Sequence, residues 1–442
     1  MYIEAHVKKG FLRFRDPDNY RDVCRKINSI RINHPYNCLH LCRFEKKINL
    51  KSQIMNTSLT VKNYLSILFM SLFLMSCGSS GDDGSKPDGG TDEPDIIITP
   101  DESDDLAIEG TMRNLTSQEL VAEMGVGWNL GNSLDVKNRD KTAWGNPLPS
   151  QQIIDRVIAM GFTTIRIPVT WQYNQSNSAP YTIESSYLDR VQQTVNYAIS
   201  KDLHTIIDVH HDEEWLRPTQ ADGPAAKARL ASLWTQVAER FKVYGDKLIF
   251  ETLNETRLLN SAAEWTGGTA EGRTMINEFH AAALDAIRGT GGNNATRHIM
   301  MSTYAASTVQ AAMDDLVVPN NDANVIISLH TYFPWRFTGE EGGVSTWGSA
   351  QEKADLEAEF ERIYNHFVVG QNRAVILGEW GARDRNNLSV REEYFQFYVE
   401  KATERGLLPI VWDDGGNFRL LDRANLNWHF QSLAETIIDA GN

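Results

Sequence analysis

Short runs of β-branched and apolar residues alternate, from about residue 110 onward, with longer stretches whose apolar positions recur every three to four residues. The short runs predict strands and the longer stretches predict amphipathic helices. The predicted strands are Gly125–Leu130, Thr163–Pro168, Thr205–His210, Leu248–Asn254, His298–Ser302, Val325–His330, Ala374–Glu379 and Leu408–Trp412. The predicted helices include Ser150–Met160, Pro224–Tyr244, Gly272–Arg288, Glu352–Phe367 and Ser389–Glu404. Eight strand–helix units in roughly 330 residues predict an α/β fold, a closed (β/α)8 TIM barrel formed by a single domain over 111–442.

A doubly wound open sheet is the alternative architecture for alternating strands and helices. It normally carries a glycine-rich phosphate turn between an early strand and the following helix. The candidate here, Gly125 to Gly131, has the glycines but lies within a predicted strand and contains Trp128 and Asn129. The barrel is therefore the favoured interpretation.

The periodic pattern is absent from the first 110 residues. Residues 1–54 are basic and show neither period, whereas an apolar run from Tyr64 to Met75 leads into Leu74-Met75-Ser76-Cys77. This segment resembles a bacterial lipoprotein signal, and its run of about 12 residues is too short to span a bilayer as a helix. We interpret 55–77 as the signal, Cys77 as the lipidated residue and 1–54 as a mis-assigned upstream extension. A basic cytoplasmic arm on a membrane anchor is the alternative.

Composition changes sharply after the predicted signal. Residues 78–110 are rich in Gly, Ser, Pro, Asp and Glu, which predicts a flexible, acidic linker and resembles the surface-export signal of Bacteroidetes lipoproteins. Residues 1–77 contain all four cysteines, 13 of the 43 basic and 5 of the 58 acidic side chains, so the remainder carries 30 and 53, a net charge of −23. The acidic balance argues against nucleic acid as a partner, and a disulfide or thiolate site is excluded after Cys77.

Polar and aromatic residues lie within or just after the predicted strands, at positions where a core would need none. They are Arg166, His210, His211, Asn254, Glu255, His330, Tyr332, Glu379 and Trp412. A barrel brings the carboxyl ends of all its strands to one face, so these side chains are expected to converge in one pocket. Each residue taken alone fits a packing or capping role, whereas the whole set has no structural purpose.

Two glutamates in one pocket suit glycoside hydrolysis, in which one carboxyl group protonates the leaving oxygen and the other attacks the sugar. We expect Arg166 to keep one carboxylate ionised and burial to keep the other protonated. Tryptophan rings stack on the faces of sugars, and seven candidates lie in or beyond strand ends: Trp128, Trp144, Trp171, Trp215, Trp335, Trp347 and Trp412.

Eight ordered motifs resemble glycoside hydrolase family 5, most closely its subfamily 4 of endoglucanases and xyloglucanases. They are Gly127-Trp128-Asn129-Leu130-Gly131-Asn132, Trp144-Gly145-Asn146-Pro147, Ile165-Arg166-Ile167-Pro168-Val169-Thr170-Trp171, His210-His211, Asn254-Glu255, Ser328-Leu329-His330-Thr331-Tyr332, Gly378-Glu379 and Trp412-Asp413. The resemblance runs from about Met112 to the end of the chain and implies a retaining (β/α)8 hydrolase that cleaves β-1,4-glucans without a cofactor.

The resemblance also implies roles for individual residues. Glu255 would be the acid/base and Glu379 the nucleophile, contacted by Arg166 and Tyr332, with His330 near the acid/base. Asn254 and His210 would bind the sugar being cleaved, and Trp412 would form its stacking floor. His211, Asn132 and Trp215 complete the expected substrate-binding set. Thr256 follows Glu255 where the family usually has Pro.

Three other functions are alternatives to a β-glucanase. A metal-dependent hydrolase could use His210 and His211, but adjacent residues on a strand point to opposite faces, so no metal site is expected. An inactive glycan-binding lipoprotein would have lost a catalytic carboxylate, and both glutamates are present. A mannanase or another retaining hydrolase of the same architecture stays open. The expected partners are a β-glucan, with soluble decorated chains such as xyloglucan or mixed-linkage glucan favoured, and the outer membrane through a lipid anchor, with the protein acting as a monomer.

Overall fold

The computed structural model describes residues 107–441, so the predicted extension, signal, Cys77 and most of the linker lie outside the described residues. Eight parallel strands close into a barrel in chain order, with β1 paired to both β2 and β8. The predicted fold class is thereby confirmed. The barrel strands are β1 Gly127–Asn129, β2 Thr164–Ile167, β3 His204–Asp208, β4 Leu248–Glu251, β5 Ile299–Ser302, β6 Val325–His330, β7 Val375–Trp380 and β8 Leu407–Val411. A separate antiparallel pair is formed by β9 Leu421–Asp422 and β10 Asn427–Trp428.

Helices cover the outside of the barrel and close one end. They are α1 Ser117–Met124, α2 Gln151–Met160, α3 Ser185–Ile199, α4 Gly223–Arg240, α5 Ala270–Gly289, α6 Gln310–Asp314, α7 Trp335–Thr338, α8 Ala350–Ile363, α9 Leu388–Thr403 and α10 Gln431–Gly441. A π-helical segment, Tyr364–Val369, continues α8. All five helices named from the sequence are present, with ends that shift by a few residues.

Five of the barrel strands end earlier than the sequence predicts, two of them by two or more residues. β3 stops at Asp208 instead of His210, and β4 stops at Glu251 instead of Asn254. The backbone leaves the sheet at these points, which places His210 and Asn254 on loops at the barrel mouth instead of inside the strands.

Alternation along each strand separates two apolar layers. In β4, Leu248 and Phe250 pack with the surrounding helices, whereas Ile249 packs inside the barrel. The interior layer consists of Ile206, Ile249, Met300, Ile326, Ala374, Ile376, Leu408 and Ile410, together with one face of α1. This is the filled core that a small parallel barrel requires, because successive side chains of a strand point to opposite faces.

Helix α1 closes the end of the barrel where the strands begin. Its start is fixed by a capping box, in which the Thr116 hydroxyl accepts from the Glu119 N–H and Glu119 in turn accepts from the Thr116 N–H. Leu120, Val121 and Met124 then fill the interior layer. Among residues 107–441, α1 covers the strand starts, whereas the polar side chains lie at the carboxyl ends of the strands.

Residues 110 and 111 are hydrogen-bonded to the loop before β4. The N–H of Gly110 donates to the carbonyl of Val243, and the Asp246 N–H donates to the carbonyl of Thr111.

Across residues 107–441, no helix combines the length and hydropathy needed to cross a bilayer.

Candidate active site

Arg166 is the centre of a buried polar network at the carboxyl ends of the strands. Its guanidinium is fully buried and donates five hydrogen bonds across the barrel. The acceptors are Glu251 at 2.6 Å, Asp208 and Asn254 at 2.7 Å, and Asn129 and Glu379 at 3.0 Å. Because these partners come from four further strands or the loops that follow them, one side chain fixes the relative positions of five segments.

The network contains three carboxylates for one arginine. Burial opposes the charge of Arg166, but Glu251, Asp208 and Glu379 together raise its pKa. Burial raises the pKa of Asp208 to about 6, and Arg166 only partly offsets this effect. Ser328 donates to the second oxygen of Glu251 at 2.5 Å. The site therefore holds concentrated negative charge that depends on Arg166 for its stability.

Glu255 and Glu379 meet across His330. One oxygen of Glu255, one of Glu379 and a ring nitrogen of His330 all lie within 4.8 Å of one another. His330 Nδ1 is 3.0 Å from Glu255 and 3.7 Å from Glu379. The Tyr332 hydroxyl donates to Glu379 at 3.0 Å. The structure thus brings together the two predicted carboxylates and three predicted neighbours, namely Arg166, His330 and Tyr332.

The pKa values of the two glutamates are shifted in the directions opposite to the sequence-based expectation. Burial acts to raise the pKa of Glu255, but the hydrogen bond and charge of His330, with Arg257, lower it overall. Burial raises the pKa of Glu379, with a smaller contribution from the Glu255 charge, although His330 and Arg166 oppose the shift. The expected ionised partner of Arg166 is therefore the glutamate with the raised pKa. The resemblance implied that His330 lies near Glu255, but the sequence did not predict how His330 shifts the two pKa values.

A bulge in β7 directs Glu379 into the site. The register between β6 and β7 passes from Leu329–Leu377 to His330–Glu379, so Gly378 is an extra residue on β7. Such bulges re-aim side chains next to active sites. A Cβ at Gly378 would lie 3.1 Å from His330 Nε2, so the absence of a side chain lets His330 approach the strand.

Contacts made by loop residues hold the turn that carries Glu255. Thr256, which stands where proline is usual, is 2% exposed, and its carbonyl accepts from the Ala305 N–H at 3.2 Å. Arg257 donates to the Glu255 carbonyl at 2.9 Å. The turn that presents Glu255 is therefore tied on both sides without a proline ring.

The rings of His210 and Trp412 are stacked at the barrel mouth. Their rings are parallel, with an interplanar angle of 2° and centroids 5.9 Å apart. His210 Nδ1 bonds Asp208 at 2.7 Å, and burial holds the pKa of His210 well below its ordinary value. A Cβ at Gly131 would lie 2.7 Å from the Trp412 ring, so a glycine is needed for Trp412 to sit this deep. A neutral imidazole next to an indole can bind a sugar by hydrogen bonding and stacking.

The expectation that His210 and His211 point to opposite faces is wrong. Their ring centroids are 4.4 Å apart, and Asp135, His210 and His211 bring ligand-type atoms within 4.8 Å of one another. The alternation rule fails because β3 has already ended at Asp208. That rule therefore no longer argues against a metal ion. His211 also bonds Glu213 at 3.3 Å and lies edge-on to Trp144. The absence of a metal stays a prediction, which activity in the presence of a chelator tests.

Asn132 and Trp215, which were also predicted to bind substrate, are held by contacts with other residues of the protein. Asn132 has a left-handed backbone, with a φ of 52°; its N–H donates to Asp135 and its carbonyl accepts from Asn146. Trp215 is half-buried, donates to Asp212 at 2.9 Å and stacks on Arg229. Trp215 is therefore engaged in packing. Of the remaining candidates, Trp128, Trp171 and Trp347 are buried, whereas Trp144 and Trp335 are exposed.

Sequence reasoning missed the acidic partners of Arg166. Asp208 and Glu251 lie within predicted strands, at positions that proved to face the barrel axis. A buried arginine demands counter-charges, so acidic residues inside neighbouring strands were the available signal. Arg257, on the loop after β4, was also missed.

Comparisons with known proteins identify the family of the chain. A profile described as cellulase (glycosyl hydrolase family 5) matches residues 129–417. Endoglucanase B of Clostridium cellulovorans is 44% identical over 337 residues, which are 74% of this chain and 76% of that protein. The structure of ZgEngAGH5_4 in complex with a cellotriose superposes with a TM-score of 0.74 at 46% identity, covering 74% of this chain and all of the other. A GH5-4 broad specificity endoglucanase from Clostridium acetobutylicum gives a TM-score of 0.72 at 45% identity, again over 74% of this chain and all of the other.

Proposed function

Because the chain belongs to the cellulase family, glycoside hydrolase family 5, we propose that its barrel mouth hydrolyses internal β-1,4-glucosidic bonds of a glucan. The observation that carries the proposal is the pair Glu255 and Glu379, held around His330 within 4.8 Å. Similar proteins are named endoglucanase B and cellulase/esterase CelE. We therefore treat the chain as an endo-β-1,4-glucanase.

A retaining, double-displacement mechanism fits the spacing of the two carboxylates. Retaining enzymes place them about 5–5.5 Å apart, whereas inverting enzymes need about 6.5–9.5 Å to admit a water molecule. In the first step the Glu379 carboxylate attacks the anomeric carbon, the glycosidic C–O bond breaks and Glu255 gives its proton to the departing oxygen. In the second step Glu255 takes a proton from water, whose oxygen displaces Glu379.

Substrate binding must reverse the directions in which the pKa values of Glu255 and Glu379 are shifted. The Glu255 side chain is 20% exposed, and a sugar placed against it would remove that water and favour the neutral acid. The Glu379 side chain is only 7% exposed and keeps its donors, Arg166 and Tyr332, which favour the carboxylate. His330 Nδ1 lies between both glutamates, so it can carry the exchanged proton.

The sugar before the scissile bond would lie against His210 and Trp412. Asn254 would reach its 2-hydroxyl, because the Asn254 carbonyl oxygen is already oriented by Arg166 and its amide by His210 at 3.4 Å. Such a contact strengthens as the oxocarbenium-like transition state forms.

Soluble decorated β-1,4-glucan is the substrate we favour, with xyloglucan or mixed-linkage glucan ahead of crystalline cellulose. The catalytic domain fills the described residues and leaves no length there for a separate carbohydrate-binding module. A solved xyloglucan-specific endo-β-1,4-glucanase is 34% identical with a TM-score of 0.70, which supports this preference. A mannanase is the second candidate, because loops and not the catalytic pair select the sugar.

A panel of polysaccharides tests the proposal. The full chain should lower the viscosity of xyloglucan or mixed-linkage glucan faster than reducing ends accumulate, and NMR should show retention of anomeric configuration in the first product. Faster action on mannan than on both glucans would overturn the substrate. An inverted first product would overturn the mechanism, and no sugar release from any glycan would indicate a binding protein.

We also propose that Cys77 is lipidated and that the linker holds the enzyme at the outer surface of the outer membrane. The support is the sequence alone: an apolar run before Leu74-Met75-Ser76-Cys77 and an acidic stretch after it. Two or three acyl chains anchor a protein stably, whereas one does so only marginally. Native protein should fractionate with membranes and Cys77→Ala should not. Full membrane partitioning of the variant would refute the proposal.

A further inference from the structure

Asp135, His210 and His211 bring metal-ligand side chains together at the barrel mouth. One ligand-type atom of each residue lies within 4.8 Å of the other two. His210 Nε2 and Asp135 Oδ2 are 3.9 Å apart. In a tetrahedral zinc site with bonds of about 2.0–2.2 Å, ligand atoms lie about 3.3–3.6 Å from one another. His210 and Asp135 therefore need to approach by only a few tenths of an ångström to share an ion.

The two imidazoles are oriented as metal-binding histidines usually are. His210 Nδ1 lies 2.7 Å from Asp208, and His211 Nδ1 lies 3.3 Å from Glu213. An ionised carboxylate only accepts hydrogen bonds, so each Nδ1 is the donor and each Nε2 is left for another partner. A carboxylate behind the ring fixes the tautomer and raises the basicity of the nitrogen that binds a metal. Both histidines therefore offer Nε2 to an ion.

Asp135 supplies a fixed negative charge to the cluster. Its two oxygens accept from the N–H groups of Asn132 and Ser133 at 3.0 and 2.6 Å, and its side chain is buried. Each carboxylate oxygen has a second lone pair, so these bonds leave Asp135 able to bind an ion. The His211 side chain is 23% exposed, whereas His210 is buried. An ion from solvent can therefore reach His211 first and then an anchored carboxylate.

We propose that Asp135, His210 and His211 bind a transition-metal cation, represented by Zn²⁺, and that the bound ion inhibits the enzyme. Two imidazoles with one carboxylate suit Zn²⁺, whereas Mg²⁺ prefers oxygen ligands and keeps its waters. The inhibition rests on the proposed function, in which His210 binds the sugar before the scissile bond, but zinc binding itself does not.

Zinc and glucan should compete for one nitrogen atom. Because His210 Nδ1 is bonded to Asp208, only Nε2 is available to a sugar hydroxyl, and the same atom would bind the ion. The amide of Asn254, 3.4 Å from this Nε2, would also lose its partner when zinc is bound. Hydrolysis itself is still predicted to need no metal, so a chelator should relieve the inhibition.

Calorimetric titration of the full chain with zinc chloride tests the site without an activity measurement. His211→Gln should weaken zinc binding by at least about 100-fold, and Glu213→Gln, which removes the carboxylate behind the ring, by about 10- to 100-fold. Glu214→Gln is the matched control, because Glu214 lies on the same loop but bonds Tyr173 at 3.1 Å. Its zinc affinity should equal that of wild type. Cooperative thermal unfolding of each variant shows that it is folded.

A second group of ligand-type atoms requires its own control. Atoms of Glu255, His330 and Glu379 also lie within 4.8 Å of one another. Glu379→Gln changes this group and leaves the proposed site intact, so it should keep the zinc binding that His211→Gln removes. Zinc binding that is lost in Glu379→Gln and kept in His211→Gln would place the ion between the glutamates and overturn the inference.

Steady-state kinetics on mixed-linkage glucan test the inhibition. Zinc should raise KM and leave kcat unchanged, EDTA should restore the original KM, and excess Mg²⁺ should have no effect. Zinc affinity that is equal in wild type and His211→Gln would refute the site, and a fall in kcat alone would refute the competition. Failure of the zinc-free chain on every glucan would instead overturn the proposed function, while calorimetry would still decide whether the site binds zinc.

Discussion

The two ends of the barrel use the same strands for opposite purposes. Near the strand starts, the interior contains side chains such as Ile206 and Ile249, covered by α1. Two residues further along the same strands, Asp208 and Glu251 face the same interior and bind Arg166. An apolar layer and a charged layer therefore lie one above the other, separated by a single step of the strand repeat.

This difference indicates that the closed end stabilises the fold and that the open end carries the chemistry. Apolar burial at the closed end stabilises the fold by an amount that grows with buried area. The open end buries one arginine with three carboxylates, an arrangement whose desolvation cost can exceed its Coulombic gain. The closed end thus offsets the strain of a preorganised, charged site. Changes at the two ends should separate activity from stability.

The largest effect is expected at Glu379. Glu379→Gln removes the attacking carboxylate but keeps the size of the side chain, so turnover of every glycoside should fall by roughly 10⁴-fold or more. Initial rates on mixed-linkage glucan and on an activated aryl cellobioside measure this loss. Unaltered thermal unfolding would show that only the open end was affected. Substantial residual activity on either substrate would remove Glu379 from the nucleophile role.

Glu255→Ala should have a smaller, substrate-dependent effect. Loss of a general acid costs about 10²–10⁴-fold when the leaving group needs a proton. The rate of glycosylation on a dinitrophenyl cellobioside should be nearly preserved, since that phenolate departs unaided. Stopped-flow release of the phenol measures this step. If glycosylation by this aryl substrate is lost as fully as in Glu379→Gln, the two roles are not separated.

At the closed end, Ile249→Ala should lower the free energy of unfolding by about 2–5 kcal/mol, because it leaves a cavity in the interior layer. The value of kcat should stay within a factor of about 2, since Glu251, two residues along, still reaches Arg166. Denaturant unfolding and steady-state kinetics on the same preparation measure both quantities. A large fall in kcat without loss of stability would contradict the division between the two ends.

The smallest effect concerns acid stability. Burial lowers the pKa of His204, at the start of β3, to about 4, whereas an unfolded histidine has about 6.5. Between these values the unfolded chain binds the extra proton, so His204 costs stability as pH falls from about 6.5 to 4. Asp208 has the opposite sign, because its raised pKa favours the folded state as pH falls below about 6.

His204→Gln should therefore reduce the loss of stability on acidification by up to about 3 kcal/mol, with no change above pH 7. Unfolding free energies from pH 7 to 4, compared with wild type, give the difference curve. Asp208→Asn is the contrasting variant and should make the acid-side loss steeper. Parallel curves for His204→Gln and wild type would show that His204 does not titrate as the structure indicates.

Sequence determined the order of elements and the chemistry at the strand ends. The alternation of apolar runs with amphipathic stretches predicted the eight strands, and the positions of Asn254, Glu255 and Glu379 after or within predicted strands placed the proposed catalytic pair at one end of the barrel. These features are local, since they depend on the spacing of residues along one strand. The matching profile and the solved relatives confirm the family resemblance, whereas the roles that it implies for single residues stay predictions.

Tertiary structure alone decided how these residues act on one another. The five acceptors of Arg166 come from segments up to 213 positions away along the chain, and only closure of the barrel gathers them. The end of β3 at Asp208 turns His210 and His211 toward each other, and the Gly378 bulge aims Glu379 inward. The placement of His330 sets the pKa order of the glutamates. Each of these depends on distances across the barrel, and linear spacing carries no information about them.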